Sequence, residues 1–189
     1  PILVKVAPWL PKSVKSSAFE ILDWSMRNFT SARVAERPVF LLGNHKSGTT
    51  AIAGLLGRLS GLPVSMGVKR ELYRPMFPQV RAGEMPLKEF IEKNRVDFSR
   101  PIIKFNQHLF LYDLVRDYFP ESPFVMIIRD PRDNIRSLLN RLDLPGDTDR
   151  SFRNLPIGGA WQVAFDNRWM GIECEPYIEQ LAHRWNRAA

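Results

Sequence analysis

The chain has 189 residues and a mass of 21.8 kDa, and its 27 lysines and arginines against 20 acidic residues leave a net charge of +7. That length suits one domain with a substantial core, while 44% hydrophobic and 25% charged residues exclude wholesale disorder. One cysteine, Cys174, excludes an internal disulfide framework, and no apolar run approaches the roughly 20 residues needed to span a bilayer.

Residues 1–37 read as a helical lead-in. Pro1, Pro8 and Pro11 punctuate its start, and a helix is predicted from about Ser13 to Phe29. There Ala18, Ile21, Leu22, Met26 and Phe29 make an apolar stripe broken by Ser25. The polar face mixes Glu20 and Asp23 with Lys15 and Arg27, which suits packing on the domain better than lying on a membrane.

From Pro38 to the end the pattern is that of an α/β domain. Val39-Phe40-Leu41-Leu42 predicts a strand buried on both faces. A helix follows, with Ile52, Leu55, Leu56 and Leu59 expected on its buried face and Gly61 as its C-terminal cap. Pro86 opens a second helix carrying Leu87, Phe90 and Ile91, and Ile102–Phe105 predicts another strand. Leu111, Leu114, Val115 and Tyr118 mark a helix that stops before Pro120. Phe124–Ile128 is the clearest strand, followed by a helix capped by Asp130 with Pro131 in its first turn. Residues 143–160, rich in Pro and Gly, read as a long loop of the kind that serves as a lid or substrate loop. The last predicted helix starts at Glu175-Pro176 and sets Ile178, Leu181, Ala182 and Trp185 on one face. It runs to Ala189 without a cap, so the domain is expected to continue beyond it. Strand–helix repeats of this kind imply a parallel sheet layered between helices.

Two segments carry chemistry. Gly43-Asn44-His45-Lys46-Ser47-Gly48-Thr49-Thr50 lies between a buried strand and a helix. Its glycines let successive backbone N–H groups face one concavity, and the helix adds its positive end. Lys46 contributes an ammonium, and Ser47, Thr49 and Thr50 contribute hydroxyls. The segment departs from the G-x-x-x-x-G-K-[ST] loop of nucleoside triphosphatases, because Thr49 stands at the lysine position and the lysine sits inside the loop. The second segment is Arg129-Asp130-Pro131-Arg132-Asp133 at the carboxyl end of the third strand, with Ser137 two turns into the following helix. A guanidinium fork and a hydroxyl at that edge suit a phosphate.

Lys46-Ser47-Gly48-Thr49-Thr50 resembles the 5′-phosphosulfate loop of sulfotransferases that use 3′-phosphoadenosine 5′-phosphosulfate (PAPS), typically [PR]-[KR]-S-G-T-T after a buried strand. His45 stands where proline is common. Arg129 and Ser137 keep the eight-residue spacing of that family's 3′-phosphate signature, and Arg129–Asp133 is similar to its R-[DN]-P-[KR]-D run. The resemblance covers about Pro38 to Arg141. It implies a three-layer α/β/α fold with a P-loop-like turn, truncated here at the C-terminus. It further implies transfer of a sulfuryl group from PAPS, without a metal, to a hydroxyl or amine of a carbohydrate, lipid or small alcohol.

By the same resemblance Lys46 stabilises the leaving group, Ser47, Gly48, Thr49, Thr50, Arg129 and Ser137 hold the donor, and Lys104 matches the lysine of a K-T-H-x-P segment. Asn106 occupies that segment's histidine position, and an amide is no base at neutral pH. Two other residues are therefore candidate bases. Glu71, in Lys69–Tyr73, resembles the glutamate of carbohydrate-type members and leads, with a surface ion pair as its plain alternative; His108 follows, with His45 behind it. The rival readings are a P-loop kinase or NTPase and a non-catalytic nucleotide-binding module. Nucleic acid is disfavoured because basic and acidic residues are intermixed. Trp161, Trp169 and Trp185 read as packing residues, and a cytosolic donor points to the cytoplasm.

Overall fold

A computed structural model describes residues 31–68, 71, 76–144, 170–172 and 176–189, with Gln107 and His108 described in their backbone alone. The expected helix at 13–29, most of the 143–160 loop, Trp161, Trp169 and Cys174 lie outside the described residues.

Four short apolar runs form strands: β1 (Val39–Gly43), β2 (Val64–Ser65), β3 (Ile102–Lys104) and β4 (Phe124–Ile127). They make one parallel sheet in the order β2-β3-β1-β4. Val39 pairs with Ile102, Phe40 with Phe124 and Val64 with Ile102, so β1 lies between β3 and β4. Parallel neighbours need crossovers, and helices supply them. These are α1 (Thr49–Ser60), α2 (Phe77–Arg81), α3 (Leu87–Lys93), α4 (Arg95–Phe98), α5 (Tyr112–Tyr118), α6 (Pro131–Leu142) and α7 (Tyr177–Ala188). A tighter 3-10 segment, Asn106–Leu111, joins β3 to α5. The expected α/β class is what forms. Among the described residues no helix is long and apolar enough to cross a membrane.

The main core is aromatic. Phe40, Phe77, Phe90, Phe98, Phe105 and Phe119 are buried together, with Phe40 stacked on Phe124 at 5.2 Å and Phe90 edge-on to Phe98 at 6.0 Å. A second cluster unites Leu138 and Leu139 of α6 with Tyr177 and Leu181 of α7. Central β1 is buried from Phe40 onward, whereas Val125 and Met126 of edge strand β4 keep 38% of their surface.

Two helices turn differently from the periodicity reading. In α1 the expected face is exposed at Ile52, Leu55 and Leu59, and the residues buried are Thr49 and Ala53. The cause is close packing. A Cβ at Gly57 would stand 2.5 Å from Val64 Cγ2 and 3.2 Å from the Leu62 carbonyl oxygen, so small residues let the helix lie directly on β2. In α7 the buried line is Tyr177, Gln180, Leu181, Arg184 and Ala188, and Pro176 is the cap rather than the first helical residue. Arg184 is enclosed despite its charge, with its guanidinium 4.9 Å from the centre of the Phe110 ring. Its charge survives burial. Desolvation, offset in part by Tyr177 and reinforced by Arg81, lowers its pKa to about 10.

Candidate anion site

At the carboxyl end of β1 the chain turns sharply into α1. Gly43 has φ +157°, and a Cβ there would come within 2.7 Å of both the Ile127 carbonyl oxygen and Thr49 Cγ2. Lys46 takes φ +67° and Gly48 φ +91°, the first in a region that L residues with a Cβ seldom occupy. A Cβ on Gly48 would meet nothing within 4 Å, so that side of the turn is open.

Side chains from elsewhere in the fold hold this conformation. Asn106 Nδ2 shares its two hydrogens among the Gly43 carbonyl (2.9 Å), the Asn44 carbonyl (3.2 Å) and Thr49 Oγ1 (3.2 Å). Asn134 Nδ2 donates to the His45 carbonyl (2.8 Å) and to Ser47 Oγ (3.1 Å), while its Oδ1 accepts from Asn44 Nδ2 (3.2 Å). Arg129 Nη1 donates to the Lys46 carbonyl at 2.9 Å. The carbonyls of Gly43, Asn44, His45 and Lys46 are therefore all claimed by side chains outside the loop. In α1 the amides of Ala51 and Ile52 both donate to the Gly48 carbonyl, and the helix amides before them precede its first bond. A turn with its carbonyls held back beside a helix N-terminus presents a positive surface to an anion.

A hollow of about 480 Å³ opens there, lined by His45, Lys46, Gly48, Thr49, Thr50, Lys104, Asn106, Arg129, Ser137 and Arg141 among others. Seven expected residues thus meet: Lys46, Gly48, Thr49 and Thr50 from the loop, Lys104 from β3, and Arg129 and Ser137 from beyond β4. Ser47 is buried, and its hydroxyl accepts from Asn134. The Asp130 cap forms as expected, its carboxylate accepting the Arg132 amide at 2.9 Å. Lys104 is half-buried, which pulls its ammonium below the ordinary lysine range.

Glu71 does not line this hollow with them. Glu71 is no surface residue: it is 6% exposed, Oε1 accepts the Met76 amide at 2.9 Å, and Oε2 accepts the Phe77 amide at 3.0 Å. Both oxygens thereby anchor the start of α2. His108 falls in the 3-10 segment after β3, and its side chain is outside the description. Three further residues sit at the site: Arg141 and Asn106 on the hollow's wall, and Asn134 behind the loop. Sequence reasoning missed Arg141, and the signal that could have found it is its place one helical turn past Ser137. The asparagines left only the weaker signal of an amide inside an otherwise apolar or helical stretch.

No family model matches the chain, and comparison with curated proteins returns no significant match.

Proposed function

We propose that this chain is a sulfotransferase, moving a sulfuryl group from PAPS to a hydroxyl or amine of a carbohydrate, lipid or small-molecule acceptor. The observation that carries this reading is the meeting of two anion-binding segments, with Lys46 and Arg129 83 positions apart yet lining one hollow. A nucleotide bearing a 5′-phosphosulfate and a 3′-phosphate has two separate anionic ends. The Lys46–Thr50 turn suits the first and Arg129 with Ser137 the second. The open space over Gly48 and the inward-held carbonyls fit such a donor.

In this reading Lys46 and Lys104 face the bridging oxygen as it gains charge, a preorganised electrostatic role. Thr50 and Ser137 orient the two ends by hydrogen bonds. The rival kinase reading lacks a cation where its loop needs one. Thr49 stands there, and its hydroxyl is bound to Asn106 in the interior. A cytosolic donor makes the cytoplasm the compartment of this reading.

Calorimetric titration with adenosine 3′,5′-bisphosphate and with Mg-ATP tests it. Micromolar bisphosphate binding is expected, weakened roughly 10- to 100-fold in Lys46→Ala and in Arg129→Ala, as befits lost hydrogen bonds to charged groups. Tight Mg-ATP binding with no response to the bisphosphate would overturn the sulfotransferase reading.

A further inference from the structure

We propose that His45 is the base of the hollow, the group that takes the acceptor's proton as the sulfuryl group moves. The inference rests on the sulfotransferase reading above. His45 lines the same hollow as Lys46, Lys104, Arg129 and Ser137. Its backbone is fixed at both ends: the amide donates to Asn44 Oδ1 at 2.9 Å, and the carbonyl accepts from Asn134 Nδ2 at 2.8 Å. His45 is thus carried on fixed backbone at the hollow's wall, directly before the lysine that would neutralise the leaving oxygen. Two other candidates among the described residues serve less well. Glu71 has both carboxylate oxygens on the amides of Met76 and Phe77 and is not on the hollow's wall. Asn106 is on the wall but is an amide committed to the loop.

The surroundings set when this base is active. Burial first, then the charges of Arg184 and Lys104, hold the imidazole's proton affinity well below the usual histidine range. Among the described residues the charged side chains that line this hollow are all positive: Lys46 on the same loop, Lys104 on β3, Arg129 after β4 and Arg141 on α6, and Arg184 of α7 also acts on the imidazole. A bound nucleotide carrying several negative charges offsets that field. Proton affinity then rises toward neutrality, where a general base works best. In the step itself the acceptor oxygen bonds to sulfur as its proton passes to His45. The bond from sulfur to the 5′-phosphate oxygen breaks, and that oxygen keeps the electron pair against Lys46. The imidazolium then gives its proton to solvent, which balances the reaction.

The test uses adenosine 3′,5′-bisphosphate on the full chain. Its binding is measured by calorimetry at pH 6.5 in two buffers of different ionisation enthalpy, and the His45 ring is titrated by NMR with and without it. We expect the ring's titration midpoint to rise by at least one pH unit on binding. We also expect greater proton uptake in the wild type than in His45→Gln, with affinities within threefold. Against a panel of phenols, sugars and amines, His45→Gln should lower kcat roughly 10²- to 10⁴-fold with the donor KM within threefold. Binding with equal proton uptake in both proteins and an unmoved His45 titration would overturn the assignment alone, as would full turnover in His45→Gln with loss in Glu71→Gln. Failure of the wild type to bind the bisphosphate would overturn the sulfotransferase reading, and this assignment with it.

Discussion

At the residue scale, the loop's two glycines meet different constraints. Gly43 is hemmed in by the Ile127 carbonyl oxygen and Thr49 Cγ2, each 2.7 Å from where a Cβ would stand. Gly43→Ala must shift backbone to fit, and a loss of about 1–3 kcal/mol is expected in urea unfolding. Gly48 has open space but φ +91°, so Gly48→Ala suffers only the conformational penalty of about 1–2 kcal/mol. Asn134 is the sterner test. It is fully buried, and its removal leaves the His45 carbonyl, Ser47 Oγ and Asn44 Nδ2 without that partner. Asn134→Ala should lower unfolding stability by about 1–3 kcal/mol and weaken anion binding at temperatures where the protein is still folded. The loop's glycines, lysine and threonines were legible because spacing between strand and helix announces them. The asparagines were not, since their partners lie 57 to 90 positions away and only folding brings them together.

At the element scale, the strands near 39, 102 and 124 were legible because a short apolar run closed by a turn has few other ways to bury itself. The helix faces were less so. Counting apolar side chains in α1 chose Ile52, Leu55 and Leu59, yet the sheet lies against Ala53 and Gly57, where the absence of bulk permits approach. Hydrophobicity marks what a helix is able to bury, while shape decides what it does bury. Leu59, 76% exposed, should accept Leu59→Lys within about 0.5 kcal/mol. Ala53→Leu, at a fully buried position, should lose about 1–3 kcal/mol by overpacking. Chemical unfolding of the two variants side by side distinguishes the buried face from the exposed one.

At the scale of the whole molecule, the +7 charge is partly concentrated around one hollow, and stability should record this through pH. The folded imidazole of His45 binds a proton only well below the ordinary range, while an unfolded histidine does so near pH 6.5. Between those two points the unfolded chain holds more protons than the folded one. Stability should therefore rise as pH climbs toward about 6.5 and level off above it. Unfolding midpoints across pH 5 to 8 check the sign, and His45→Gln should flatten this part of the curve. A polyanion in the hollow should flatten it too, by returning the imidazole toward its ordinary behaviour.

The loop's posture is also tied to the end of the chain. Trp185 Nε1 donates to the Arg129 carbonyl at 3.0 Å, and the Arg129 side chain holds the Lys46 carbonyl at 2.9 Å. The eight residues from Gly43 to Thr50 are thus not a portable cassette. Grafted onto another strand–helix junction, they would bring the glycines and the lysine but leave behind Asn106, Asn134 and Arg129. The transplanted turn would then relax out of the positive φ at Lys46, because nothing in the new host would hold its carbonyls back. A working transplant must carry the braces from two distant stretches of sequence along with the loop they support.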